Sequence, residues 1–401
     1  MKLTKKLKKQ YSTASKGTKG QILEQYCTLT HIQRNTAIKR FSRIGVLPEL
    51  RPNKKKYEKY HKHKKGASKQ YLSIHYALLK QCWNLSGHIC GERLKPILST
   101  CLEQLVQNNK LTRYQEHDIQ TTKNMSEITI KRAIHRFLIA SPPHKQWRGK
   151  KKATELYGQI PIKAHFGEYA TIGSGYIEVD YVEHNGGNAG GQFGITGNYT
   201  DVSSQWVVRS ANKGKSLASI TTIHDIAIQR IYHPIKEYHP DNAPTILSLL
   251  FYRMKQDIEK TQKKQYELSR SRPYKKNDNA HVEQKNRDKI RKVVGHHRID
   301  TDEEIQILNR LYEKMDLYDN FFIPSKKLIH KEIDEKGKLI RKVYDKPKTP
   351  YQRIQEDQTV DEVTKVYLRE MYVSLNMVQL RKEIDEILKE LSNAIGQKPK
   401  K

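Results

Sequence analysis

The sequence predicts a multidomain fold: helical helix–turn–helix modules at the N-terminal end, an α/β core on a mixed sheet, and a mainly helical C-terminal region. Three observations predict it. The chain has 401 residues, enough for roughly two to four domains. Its hydrophobic fraction of 36% is low for one globule and favours helical modules around a larger core. Near residue 160 the apolar spacing changes from a helical period to strand alternation, with glycine-rich turns.

Charge narrows the partners. The net charge is +32, and residues 1–70 carry 20 Lys/Arg against 3 Asp/Glu. A plain basic tail would read as a solubilising segment. This one carries apolar residues at helical spacing, so a polyanion is the expected partner, nucleic acid first. The four cysteines, Cys27, Cys82, Cys90 and Cys101, form no CxxC pair, so neither a structural zinc site nor a disulfide framework is expected. The start, "MKLTKKLKKQY", is basic with no apolar run behind it, and no stretch reaches the ~20 apolar residues of a membrane span. With no export signal, the expected location is the cytoplasm, where DNA and RNA are.

Residues 1–50 are expected to hold the first helix–turn–helix. In "SKGTKGQILEQYC" Ile22, Leu23 and Tyr26 share a face, "TLT" breaks the helix, and "QRNTAIKRFSRIG" restarts it with Ala37, Ile38, Phe41 and Ile44. Arg34, Lys39, Arg40 and Arg43 on the second helix suit a major-groove reader. Residues 51–70 read as a basic linker for phosphate contact. Residues 71–140 are helical and offer a second helix–turn–helix. Its turn is "MSEIT" and its second helix, "IKRAIHRFL", carries Lys131 and Arg132. Residues 141–160, opening with "SPP", form another basic linker.

The core is expected over residues 161–300. "GYIEVDYVEH", "GQFGITGNYTD" and "SQWVVRS" read as a three-stranded meander. An amphipathic helix follows with Leu217, Ile220, Ile223 and Ile228, then the strand "IKEYHPD" and the helix "APTILSLLFYRMKQDI". The strand "QYELSRS" and the helix "NAHVEQKNRDKIRKVV" complete the order β-β-β-α-β-α-β-α, a mixed sheet with helices on its faces. Over residues 301–401 helices bracket two ordered loops, "NFFIPSKKL" and "YDKPKTPYQRI". A last amphipathic helix carries Met377, Leu380, Ile384, Ile387, Leu388 and Leu391, for packing on its own domain or on a second copy.

Three acids stand out. Asp180 is mid-strand, where a buried carboxylate costs several kcal/mol unless it meets a cation or donors. Asp241 closes a strand, where α/β sheets form ligand sites. Glu283 sits in a stretch, Arg270 to Arg298, with ten Lys/Arg and three acids. Carboxylates from two strand ends and a helix can hold two Mg²⁺ ions roughly 4 Å apart, with Mn²⁺ as a substitute. Cations around them would grip DNA phosphates: Lys275, Lys276, Lys285, Lys289 and Arg291. Glu178 shares the strand face of Asp180 and competes as a supporting acid, while Glu183 has the opposite parity. Asp201 reads as a turn residue. For His184 and His239, hydrogen-bonding support is favoured over ligation, because Mg²⁺ prefers oxygen.

These motifs carry a resemblance. "YIEVDYVEHNGG", "TDVSSQW", "HPDN", "SRPYKKNDNAHVEQKN", "IRKVVGHHR", "NFFIPSKKL" and "YDKPKTPYQR" together resemble bacterial insertion-sequence transposases with a retroviral-integrase-type core, in the same order over roughly residues 12–390. "KGQILEQYCTLT" and "CGERLKPIL" are similar to that family's N-terminal half. The resemblance implies an RNase H-like catalytic domain. It also implies a DDE triad on Asp180, Asp241 and Glu283, terminal inverted repeats as bound DNA, multimeric synapsis, and strand transfer by a 3′-hydroxyl. One position departs: Ala243 stands where the family carries glycine, and Pro244 follows it. Alternatives from other classes are a catalytically silent DNA-binding protein or regulator derived from such an element, and a general RNase H-type nuclease.

Overall fold

The computed structural model describes residues 2–42, 71–140, 173–240, 244–261, 266–269, 290–333 and 339–397. The chain divides into two compact units, residues 1–70 and 71–401.

Among the described residues the first unit has three helices: α1 (Lys2–Thr13), α2 (Lys16–Thr30) and α3 (Arg34–Ser42). Ser15 caps α2 by accepting from Thr18 N at 3.4 Å. Contrary to expectation, "TLT" does not break α2. The helix runs through it and ends at His31, which adopts the left-handed conformation at φ 52°. The unit is also one helix larger than the spacing predicts. A two-helix hairpin leaves one side of its apolar face uncovered, and α1 closes it. Leu7 of α1 joins Ile22, Leu23, Tyr26, Ala37 and Phe41 in one core, with Tyr11 packed on Phe41 at 5.0 Å between ring centroids. Ile38, expected inside, is exposed. Ile44 lies outside the described residues.

The second unit is mixed helical and α/β. It opens with four helices: α4 (Ser73–Leu85), α5 (Gly91–Gln107), α6 (Glu116–Lys123) and α7 (Glu127–Ala140). The turn between α6 and α7 is three residues long, and Thr129 N donates to Ser126 Oγ at 3.3 Å. Their core is leucine-rich and includes Cys82 and Cys101, and all four cysteines are free thiols.

The sheet follows. Strands β1 (Tyr176–Glu183), β2 (Gly194–Asp201) and β3 (Val207–Lys213) form the antiparallel meander. Helix α8 (Leu217–Ile228) leads to β4 (Glu237–Pro240), and helix α9 (Pro244–Thr261) to β5 (Glu267–Leu268). The strand order is β3-β2-β1-β4-β5, with β4 and β5 parallel to β1. Strand β5 is far shorter than "QYELSRS" suggests, at two residues. Pro244 stands at the start of α9, where a missing backbone N–H costs nothing.

The two faces of the sheet are covered differently. Helix α8 lies on one, burying Ile220 and Ile223, whereas Leu217, expected inside, is exposed. Gly197 makes this approach possible: a Cβ there would fall 2.4 Å from Ile223 Cγ2. The other face receives α11 (Asp302–Phe322), which follows the single turn α10 (Lys292–Val294). A capping box starts α11: Glu304 N donates to Thr301 Oγ1 at 3.2 Å, and Thr301 N to Glu304 Oε2 at 3.0 Å.

After α11 the chain forms a hairpin of β6 (Leu328–Ile333) and β7 (Leu339–Tyr344), then α12 (Pro350–Glu356), α13 (Glu362–Ser374) and α14 (Met377–Gly396). The hairpin was not legible as strand. Its outward Ile329 and Ile340 are exposed, so no alternation marks a buried face. Helix α14 packs within its own unit, with Met377, Leu380, Ile384 and Leu391 buried, which decides between the two readings of its apolar stripe. The helical layer is tied to α11 and the segment after it: Tyr318 Oη donates to Leu85 O at 2.5 Å, and Arg93 Nε to Pro324 O at 2.5 Å. Among the described residues no helix is long and apolar enough to cross a membrane.

Candidate functional site

Strand β1 alternates its side chains between the two faces. On the α8 face, Tyr181 Oη lies 3.0 Å from Tyr199 Oη, which is 3.2 Å from His224 Nδ1. Burial pushes both phenols up and brings His224 down to about 4, so this row is neutral at physiological pH.

Asp180 has the opposite parity and lies on the α11 face. It is half-buried, and its Oδ1 accepts from Tyr181 N at 2.7 Å. Asn198 is its Cα partner on β2, and Arg209 is the partner of Asn198 on β3, so the three form one row across the sheet. Arg209 is fully buried. Its Nε donates to Asp316 Oδ1 at 2.8 Å and its Nη2 to Asp319 Oδ2 at 2.8 Å, and Arg230 Nη1 adds a bond to Asp316 Oδ2 at 3.0 Å. Burial opposes the Arg209 charge, but the two carboxylates outweigh it and hold the guanidinium protonated.

Toward β4 the same face carries a second polar group. Glu178 is buried with His239 as its Cα partner. His239 Nδ1 lies 2.8 Å from Ser269 Oγ, and the Ser269 hydroxyl donates to Glu237 Oε1. With that proton spent on Glu237, the His239 Nδ1–H is the donor to Ser269. The sequence marked His239 as a hydrogen-bonding side chain, and it bonds Ser269; Glu178, marked as a supporting acid, is buried beside it. Sequence reasoning missed Glu237 and Ser269, because only the parallel register of β4 and β5 brings them together.

At the carboxyl end of β1, His184 Nε2 lies 2.7 Å from Thr196 Oγ1, which is 2.8 Å from Tyr312 Oη. Burial, reinforced by the nearby Arg291 charge, lowers His184 to about 3. Arg291 Nη2 donates to Glu183 O at 2.7 Å, so this cation braces the end of β1. Glu183 itself pairs with Lys215 at 2.9 Å. Asp201 closes β2 as the expected turn residue, accepting from Gly175 N, Ser204 N and His233 Nε2.

The parallel register of β1 and β4 ends at Val179 and Pro240. Asp241, Glu283, Lys275, Lys276, Lys285 and Lys289 lie outside the described residues, as do Arg43 and the side chains of Lys39 and Arg40. Among the described residues no group of three or more His, Cys, Asp or Glu is placed to hold a metal ion. Arg34 is exposed on α3. On α7, Lys131 is committed to Glu92 at 2.5 Å and Glu127 at 2.8 Å, whereas Arg132 is exposed.

Sequence comparison adds a relative without a described role. An uncharacterized protein, y4rM, from Sinorhizobium fredii (strain NBRC 101917 / NGR234) is 26% identical over 358 residues, covering 86% of this chain and 91% of its own. No protein-family model matches the chain.

Proposed function

We propose that the protein is a DDE-type transposase that binds the terminal inverted repeats of an element, cleaves its ends and joins the 3′-hydroxyls to target DNA. The observation that carries this reading is the end of the β1–β4 register. Val179 and Pro240 are paired in parallel, and each is followed in the sequence by an aspartate, Asp180 and Asp241. Aspartates that directly follow paired positions of two adjacent parallel strands in the sequence suit a shared cation site. The order β3-β2-β1-β4-β5, with only β2 antiparallel to its neighbours, is also what an RNase H-like core requires.

The third acid, Glu283, belongs to the basic stretch between β5 and α10. Both flanks of that stretch support the reading. Ser269 donates from its backbone to Tyr238 O of β4 at 3.1 Å, and Arg291 is bonded to the last residue of β1. In this assignment Asp180, Asp241 and Glu283 hold two Mg²⁺ ions, which would activate the attacking oxygen and stabilise the leaving one. Asp180 supplies a fixed carboxylate, oriented by the Tyr181 amide. The Arg209–Asp316–Asp319 cluster holds β3, and through it β2, flat against α11, so the row that carries Asp180 is rigid.

The helix pairs α2–α3 and α6–α7 act as helix–turn–helix units on the terminal repeats, with Arg34 and Arg132 toward the DNA. The partner is double-stranded DNA, bound by a homo-oligomer in the synaptic state. The test is strand joining by Asp180→Asn with an oligonucleotide copy of the element's own ends and Mg²⁺. Joining should fall by at least about 10³-fold, with end binding changed less than about threefold. Joining at the wild-type rate would remove Asp180 from the site.

A further inference from the structure

The two loops singled out in the C-terminal region meet, and between them lies a cavity. Ser325 N donates to Lys348 O at 2.9 Å, and Lys348 N returns a bond to Ser325 O at 3.2 Å. Thr349 and Gln352 form the capping box of α12, whose next residue, Arg353, donates to Ser325 O at 2.9 Å and to Asp345 Oδ2 at 2.5 Å. Lys327 N donates to Asp345 Oδ1 at 2.6 Å. One carboxylate thus locks both loops, and Lys327 and Arg353 line the same cavity of about 360 Å³ with Ser203, Ser204 and Thr359. It opens beside Gly173, just before the amino end of β1.

The cavity wall carries two cations, Lys327 and Arg353, and two acids, Glu356 and Asp357, and of the two cations Arg353 is paired with Asp345 while Lys327 has no such partner among the described residues. Lys327 is half-buried, and its ammonium bonds a carbonyl, Ser203 O, at 2.8 Å, with no carboxylate at ion-pair distance among the described residues. Arg353 has a side chain only 10% exposed, and its Nε is buried without a partner. Burial and the neighbouring Arg353 charge both push the Lys327 ammonium down from its usual range. The two acids of the wall are already spent. Asp357 accepts from the amide and hydroxyl of Ser174 and from the amide and hydroxyl of Thr359, and Glu356 pairs with Lys348. The wall is close-fitting where it meets β1. Gly173 has φ +90°, and a Cβ there would fall 2.4 Å from Thr359 Oγ1.

We propose that this cavity binds a phosphate group, with Lys327 as the point charge and Arg353 and the Thr359 rim beside it. A half-buried cation without a counter-charge is costly, and a tetrahedral oxyanion relieves that cost for Lys327. The cavity is roughly ten times the ~30 Å³ share of a water molecule in the liquid, room for a phosphate with its sugar. Lys236, whose Nζ bonds Thr359 Oγ1 at 3.1 Å, extends the positive rim outward. The phosphate can come from free phosphate in solution or from a DNA backbone. Neither source requires the catalytic assignment of Asp180.

The test is phosphate titration of the full chain followed by thermal unfolding. Inorganic phosphate should raise Tm of the wild type, with sodium chloride at matched ionic strength as the reference. Lys327→Met, which keeps the stem, should weaken phosphate binding at least about tenfold, and Lys327→Arg should retain it. Gln358→Glu, an exposed change at the mouth, tests the same point without touching an internal bond and should also weaken binding. A second arm measures the salt dependence of duplex DNA binding. A backbone source predicts that the slope of log K on log salt falls by about 1 in Lys327→Met. An unchanged slope with a lost phosphate response assigns the site to free phosphate. No phosphate response in the wild type, or an equal response in Lys327→Met and Gln358→Glu, overturns the proposal.

Discussion

The two faces of the central sheet solve the same problem with different chemistry. Against α8 the sheet presents Val179, Tyr181, Gly197 and Tyr199, and the contact is apolar apart from neutral hydrogen bonds, the hydroxyl row ending at His224 and the Ser210 hydroxyl donating to Ile223 O at 2.6 Å. Against α11 it presents Asp180, Asn198, Thr196 and Arg209, and the contact is ionic and hydrogen-bonded. An apolar face tolerates small shifts of its helix. An ionic face fixes angle and register, because each buried charge must meet its partner at bonding distance. The proposed metal ligand sits on the fixed face.

The comparison is best broken from the ionic side. Arg209→Met should destabilise the second unit by roughly 3–5 kcal/mol, because it leaves Asp316 and Asp319 buried with one cation, Arg230, between them. Urea unfolding measures it. A loss below about 1 kcal/mol would mean that α11 is held by its apolar residues and that the ionic row is incidental.

Acid should weaken both faces alike. His184 on the α11 face is lowered to about 3 and His224 on the α8 face to about 4, in each case first by burial. Both fold as neutral bases, so their stability is complete above the unfolded value near 6.5. It is lost as pH falls from there toward the folded values, since only the unfolded chain takes up the proton. Between pH 7 and pH 5 each should cost roughly 2 kcal/mol. Unfolding of His184→Gln and His224→Gln across this range should show a correspondingly shallower decline.

The smallest effect should come from the apolar side. Gly197→Ala pushes Ile223, and α8 with it, away from the sheet and should cost about 1–3 kcal/mol by overpacking. Because that face carries no buried charge, Tm should fall while DNA end joining per folded molecule stays within about twofold. A large loss of joining would show that α8 also sets the position of Asp180.

What was legible follows the same division. Apolar periodicity located α8, α9 and α14, and strand alternation between glycine-rich turns located β1 to β4. Asp180 was legible because a carboxylate inside an apolar strand is costly and needs a reason. The hairpin β6–β7 escaped because neither side of it is consistently buried, and α1 because its lysines mask the two residues, Leu7 and Tyr11, that it contributes.

By itself the sequence determined the layer order of this protein, the strand that carries Asp180 and the basic character of its surroundings. All three rest on local spacing and on charge, which the chain carries before it folds. Only the tertiary structure decided that Arg209 finds its counter-ions 107 and 110 residues away, that Glu237, His239 and Ser269 share a network, and that Lys327 and Arg353 meet in one cavity. Such pairings depend on register and helix placement. No residue spacing encodes them, because each partner alone reads as an ordinary surface charge.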